Sequence, residues 1–147
     1  MAKKEFKRPD GRKTDELRPM KAQVGVIPNA DGSAIFEFGG TKAIAAVYGP
    51  KEMHPMHKRD PSKGTLRCNY RMMSFSVDDR IRPRPSRRGT EISKVTEWAM
   101  NPVVKIKEYP NMVVDVQIEI MQADASTRCA GINAAVLALA HAGIPME

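Results

Sequence analysis

Apolar and polar residues alternate through much of the first half of this chain. Lys21–Ile27, Ser33–Phe38 and Lys42–Tyr48 are short β-branched or alternating runs, the two-residue period of strands with one covered face. Asn29, Asp31 and Gly32 supply a turn between the first two runs, and Gly39–Gly40 between the next two, which predicts a meander of hairpins. Leu66–Met73 reads as a further strand. Met112–Met121 (MVVDVQIEIM) places Val114, Val116, Ile118 and Ile120 on one face and Asp115, Gln117 and Glu119 on the other, the pattern of a half-buried strand. The period turns helical twice. Gly89–Met100 sets Ile92, Val95 and Ala99 on one stripe opposite Glu91, Lys94 and Glu97, with Trp98 expected to pack on its helix. Thr127–Ala142 is apolar nearly all round, as expected of a helix at the centre of a fold. Asp124, Ser126 or Thr127 can cap its start, and Gly143 and Pro145 end it.

Strands followed by helices predict an α+β layer architecture. A length of 147 residues predicts one domain, with residues 1–20 or so as an N-terminal arm. A sheet with a central helix normally continues beyond such a helix, yet the chain stops soon after Gly143. Residues 1–147 are therefore expected to form a single domain that lacks the C-terminal part of its fold. Two cysteines, Cys68 and Cys129, are too few for a disulfide scaffold and read as small core residues. The opening MAKKEFKRPDGRK has no apolar core of a signal peptide, and the longest apolar run, Ala134–Ala140, is far short of a bilayer span. The expectation is a cytoplasmic domain without membrane association.

Charge sharpens this picture. The chain carries 24 Lys+Arg against 17 Asp+Glu, a formal charge of +7. Residues 1–100 hold 21 and 12 of these, net +9, and residues 101–147 hold 3 and 5, net −2. The excess lies in the arm, in His54–Lys63 and in Arg80–Arg88, whose prolines Pro83 and Pro85 make it an extended loop. A polyanion, first of all a nucleic acid, is the expected partner. Aromatic residues are only 5% of the chain, too few for a base-stacking platform, so the contact should be mainly electrostatic.

The informative constellation is Arg87–Arg88 before one predicted helix and Ser126–Thr127–Arg128 at the opening of the other. Helix starts offer unpaired N–H groups and a partial positive charge, and arginine adds a fork that fits phosphate oxygens. If the two starts converge, they form a phosphate pocket. The competing reading makes Arg87 and Arg88 part of a solvated loop and pairs Arg128 with Asp124. His54 and His57 form an H-x-x-H pair, but no third ligand lies nearby and Pro55 breaks helical spacing, so no metal site is expected.

Five stretches, RPDGRKTDELRP (8–19), NADGSA (29–34), AAVYGPKEMHP (45–55), SRRGTEISK (86–94) and MQADASTRCAGINAAVLALAHAGIP (121–145), span nearly the whole chain. In this order they resemble the RNase PH family of 3′→5′ exoribonucleases, and within it the catalytic RNase PH-like subunits of archaeal exosomes. The resemblance implies an RNase PH-like (ribosomal protein S5 domain 2-like) fold, a mixed sheet packed on helices. It implies phosphate binding by Arg88, Ser126, Thr127 and Arg128, with inorganic phosphate as co-substrate, and RNA contact by Arg87 and Arg67. The loop around Lys51–Lys63 corresponds to one lining a narrow entrance for single-stranded RNA, where Lys51, His57, Lys58, Arg59 and Lys63 would touch backbone phosphates; a solvated basic loop is the alternative.

The implied reaction is phosphorolysis, with Mg2+ in the full-length enzyme. The implied partners are single-stranded RNA, a paralogous inactive RNase PH-like subunit in a hexameric ring, and RNA-binding cap subunits. The family's catalytic aspartates lie beyond the second helix; none of Asp115, Glu119 or Asp124 matches them. The catalytic residues are thus not identified within 1–147, and the chain alone is expected to be inactive. One departure stands out: the family has glycine before the Ser/Thr-Arg pair, where this chain has Ser126. A stand-alone enzyme trimming tRNA 3′ ends and a non-catalytic RNA-binding scaffold are the competing functions.

Overall fold

The computed structural model describes Arg8 and residues 10–147, so the expected arm lies partly outside the described residues. The elements run β1 (Met20–Val24), β2 (Gly32–Phe38), β3 (Thr41–Glu52), β4 (Thr65–Met72), α1 (Arg87–Met100), β5 (Met112–Gln122) and α2 (Thr127–His141). Each strand and helix expected from the hydrophobic pattern is present. β3 runs past Tyr48 to Glu52, because the strand resumes pairing with β5 after an irregularity at Gly49–Pro50.

The sheet order is β1-β2-β3-β5-β4. The first three strands form the expected antiparallel meander, β5 adds antiparallel to β3, and β4 lies parallel to β5 with α1 as the crossover between them. Both helices cover one face. There Leu66, Cys68 and Tyr70 of β4 stand beside Val114, Val116 and Ile118 of β5, next to Ala45 and Val47 of β3, all buried. α2 meets this face with Ala130, Gly131, Ala134, Ala135 and Ala138. Small residues on both sides bring the helix backbone onto the sheet: a Cβ at Gly32 would lie 2.3 Å from the Ala138 carbonyl oxygen.

Three packing expectations are corrected. α2 is not enclosed on all sides; it lies on the sheet, and Arg128, Cys129, Asn133 and Ala140 are exposed on its outer side. On α1 the buried stripe is Ile92, Thr96 and Met100, with Ala99 exposed and Trp98 64% exposed beneath the Lys94 ammonium. The reason is the edge of the sheet. α1 turns Ser93 and Glu97 toward β4, where they accept from the Tyr70 and Cys68 N–H groups at 2.9 and 3.3 Å. Satisfying edge amides with helix side chains blunts an exposed strand and rotates the stripe. Finally, Asp115, expected on a half-solvated polar face, is buried.

The cysteines differ accordingly. Cys68 is buried under α1 and its thiol is pushed up to about 12 by burial, whereas Cys129 is exposed, against the expectation that both are core. Since the thiolate is the reactive form, a disulfide-exchange reagent at mildly alkaline pH should label Cys129 rapidly and Cys68 only on unfolding. Cys129→Ser should abolish the fast phase; fast labelling of both thiols would contradict this packing.

Candidate anion-binding site

α1 begins at Arg87, so Arg87 and Arg88 occupy its first turn rather than the loop before it. Ser86 caps it, its hydroxyl accepting from the Gly89 N–H at 3.0 Å. The loop from Met73 to Pro85 is irregular, as its prolines require. It walls a cleft of about 1220 Å³ lined by Arg71, Arg82, Arg84 and Arg88 together with Lys94, Glu97, Glu119 and apolar side chains.

The start of α2 is built differently. None of Asp124, Ser126 or Thr127 caps it with a side chain. Ser126 holds the cap position with a left-handed backbone, φ 58°, directly after Ala125 at φ 57°, a geometry in which its hydroxyl does not reach the first turn. Thr41, fully buried at the start of β3, holds this turn in place: its hydroxyl accepts from the Asp124 N–H at 2.8 Å and donates to the Ala125 carbonyl. Arg18 donates to the Asp124 carbonyl. The N–H groups of the first turn of α2 are thereby aimed by contacts from two distant segments. Pattern reading missed Thr41, because a threonine beside a Gly-Gly turn carries no signal of what it will touch.

The two helix starts converge. Arg128 pairs not with Asp124 but with Glu91 of α1, Nη2 to Oε1 at 2.7 Å, both side chains about half exposed. Between the helices lies Tyr70 of β4, another residue the pattern did not single out. Burial raises its phenol pKa, against lowering effects from the Thr127 hydroxyl and from Arg88 and Arg128. Arg88, Arg128 and Thr127 are thus all close enough to act on the Tyr70 phenol, and Thr127 is buried. Neither Arg87 nor Arg88 has a carboxylate within 4.0 Å among the described residues.

The expected RNA-contact residues are elsewhere and are not all uncommitted. His57 and Lys58 are exposed on a short 3-10 turn, Met56–Lys58. Arg59 donates to Glu52 at 2.9 Å and to the Met53 carbonyl at 3.0 Å. Arg67 lies on the face of the sheet away from the helices, bidentate to Asp115 at 2.6 and 2.9 Å, and Lys51 reaches the same carboxylate at 2.7 Å. Burial pushes the Asp115 pKa up, but the hydrogen bonds and charges of Arg67 and Lys51 outweigh it and the net shift is downward.

Two expectations follow. A left-handed non-glycine residue is strained by about 1–2 kcal/mol, partly offset by the extra freedom glycine has when unfolded. Ser126→Gly should therefore raise stability in urea by roughly 0.5–1 kcal/mol; a loss would show that the hydroxyl matters more than the backbone. For Asp115, a carboxylate depressed in the fold adds stability above its unfolded pKa and loses it as pH falls through the folded value. Asp115→Asn should be destabilising at neutral pH, and its deficit should shrink as the pH falls below the ordinary carboxylate range. A deficit constant with pH would contradict the ion triad.

A family model described as the 3′ exoribonuclease family, domain 1 (RNase PH), matches residues 16–145. The exosome complex component Rrp41 of Methanopyrus kandleri is 54% identical over 138 residues, 94% of this chain and 58% of its own length. That of Thermococcus kodakarensis is 56% identical over 141 residues, 96% of this chain and 57% of its own. The chain thus spans less than two-thirds of the length of these relatives. Among solved structures, rice Rrp46 superposes with a TM-score of 0.82 at 27% identity, covering 95% of this chain and 63% of that one. The Archaeoglobus fulgidus exosome with RNA bound to the active site gives 0.79 at 25%, covering 92% and 56%. With the mixed sheet, the two helix starts and a family match over nearly its whole length, the chain belongs to the RNase PH family of 3′ exoribonucleases.

Proposed function

We propose that this chain carries the phosphate-binding part of a phosphorolytic 3′→5′ exoribonuclease that works as a catalytic subunit of an archaeal exosome. The observation that carries the reading is the meeting of the two helix starts, where Arg128 of α2 pairs with Glu91 of α1 at 2.7 Å and Arg88 and Arg128 both act on Tyr70 between them. Inorganic phosphate is held by the two guanidinium groups, the Thr127 hydroxyl and the first-turn N–H groups of α2 beside Ser126. The Arg128–Glu91 pair is half exposed and so weak, about 0–1 kcal/mol; the guanidinium can turn to an anion at little cost.

Held in line with an RNA 3′ end, a phosphate oxygen forms a bond to the terminal phosphodiester phosphorus. The bond to the 3′ oxygen of the preceding nucleotide breaks, and that oxygen takes the electron pair and a proton. A nucleoside 5′-diphosphate leaves and the RNA is one residue shorter. The site's contribution is position and countercharge. The family resemblance adds Mg2+ for the full-length enzyme. The described residues do not form its site, since Glu91 is held by Arg128 and no three His, Cys, Asp or Glu side chains cluster among them; no step here runs through a metal.

RNA approaches along Arg87 and along the His57–Lys58 turn. Arg59 and Arg67 each keep Nη1 for a backbone phosphate while their other donors serve Glu52, the Met53 carbonyl and Asp115. Residues 1–147 act as one domain in a ring with a paralogous inactive subunit and RNA-binding caps, in the cytoplasm. The exosome names of the relatives support this assembly over a stand-alone tRNA-trimming enzyme. The arginines without carboxylate partners support a working pocket over a scaffold. No helix among the described residues is long and apolar enough to cross a membrane.

Calorimetric titration of the chain with inorganic phosphate tests the pocket. Arg88→Ala and Arg128→Ala should each weaken binding about tenfold or more while the fold persists. Unchanged affinity in both variants would overturn the assignment. In the full-length ring the same variants should lose phosphate-dependent release of nucleoside diphosphates from a poly(A) end; monophosphates as the sole product would exclude phosphorolysis.

A further inference from the structure

Tyr70 is 3% exposed, and its phenol oxygen makes no hydrogen bond among the described residues. Its side-chain neighbours on the helix-covered face of β4 are Leu66, Cys68 and Met72, so packing alone asks for an apolar residue at this position. The residue is held from three sides, by its backbone against α1 and by its ring against α2. Its backbone N–H donates to Ser93 of α1 at 2.9 Å, and its carbonyl lies 3.2 Å from where a Cβ on Gly89 would be. On the α2 side the ring fits against Gly131, where a Cβ would stand 3.5 Å from Cε2. Gly131 is one helical turn after Thr127, so the ring packs on the inner face of α2 one turn from Thr127, whose hydroxyl is close enough to act on the phenol.

We propose that Tyr70 is a positioning residue of the anion site: when phosphate binds, its phenol, unpartnered in this structure, donates to the Thr127 hydroxyl and so directs that hydroxyl's proton at the phosphate. This rests on the phosphate reading above. A hydroxyl has one proton and two lone pairs. Once Thr127 Oγ1 accepts from Tyr70, its own proton is left to point into the space between Arg88 and Arg128. Burial keeps the phenol neutral, so it stays a donor across the working pH range. The device converts a rotor into an aimed donor and gives the buried phenol the partner it lacks without the ligand. Tyr70 does not touch the phosphate itself; it acts through Thr127.

Tyr70→Phe keeps the ring and removes the oxygen. Titrated with inorganic phosphate, the variant should bind roughly three- to tenfold more weakly, with stability in urea equal to or above that of the parent. Thr127→Val should weaken binding to a similar or greater degree, and adding Tyr70→Phe to it should weaken it no further, because the phenol then has no hydroxyl to aim. Thr127→Ser should keep the sensitivity to Tyr70→Phe. In the full-length ring, Tyr70→Phe should raise KM for phosphate with kcat little changed. Parental phosphate affinity in Tyr70→Phe, or additive losses in the double variant, would overturn the proposal while Arg88→Ala still weakened binding. If the chain bound no phosphate, or bound it equally well without Arg88, the underlying anion reading would fall and this proposal with it.

Discussion

One hydroxyl holds the site in register. Thr41 stands at the first position of β3, and its Oγ1 accepts from Asp124 and donates to Ala125. That clamp fixes two successive left-handed residues, which a chain of L-residues does not adopt unaided. Without it the backbone entering α2 would have other low-energy paths, and the first turn of α2 would no longer face that of α1. The close fit of Gly32 and Gly131 against their neighbours then sets the height of α2 over the sheet. The site is thus a consequence of how β3, β4 and α2 are tied together, and the arginines occupy positions that this frame has already set.

The charge distribution has a matching logic. Several cations that looked equivalent along the chain are neutralised in the fold: Arg59 by Glu52, Arg67 and Lys51 by Asp115, Arg128 by Glu91. These pairs differ in kind. The Asp115 triad involves a buried carboxylate that needs its partners, while the Arg128–Glu91 pair is open to water and readily exchanged. Arg87 and Arg88 have no such partner among the described residues. Net charge therefore overstated the number of available cations, and the fold selected which remain available.

Much of this was legible beforehand. Two-residue alternation located β5, and the helical periods located α1 and α2, because burial of one face imposes those spacings directly. The pairing of Arg87–Arg88 with Thr127–Arg128 followed from helix-start chemistry before the fold was known, and family motifs strengthened it. The misreadings share a cause. Ala99 on the buried stripe of α1 and Cys129 in the core each depend on which side of a helix meets which neighbour. Periodicity defines a stripe but not its azimuth, and here the edge amides of β4, seeking Ser93 and Glu97, rotated α1.

What the amino-acid order determined by itself was local: where backbone periods change, which turns glycine and proline enforce, and where arginines cluster beside helix starts. What the tertiary structure alone decided was which of these distant pieces meet. Thr41, Tyr70 and Glu91 have no sequence neighbour that betrays their roles, since each acts on a residue dozens of positions away across the sheet or between helices. Local propensities act over a few residues, whereas bringing two helix starts together requires the whole sheet to hold them, and only packing supplies that constraint.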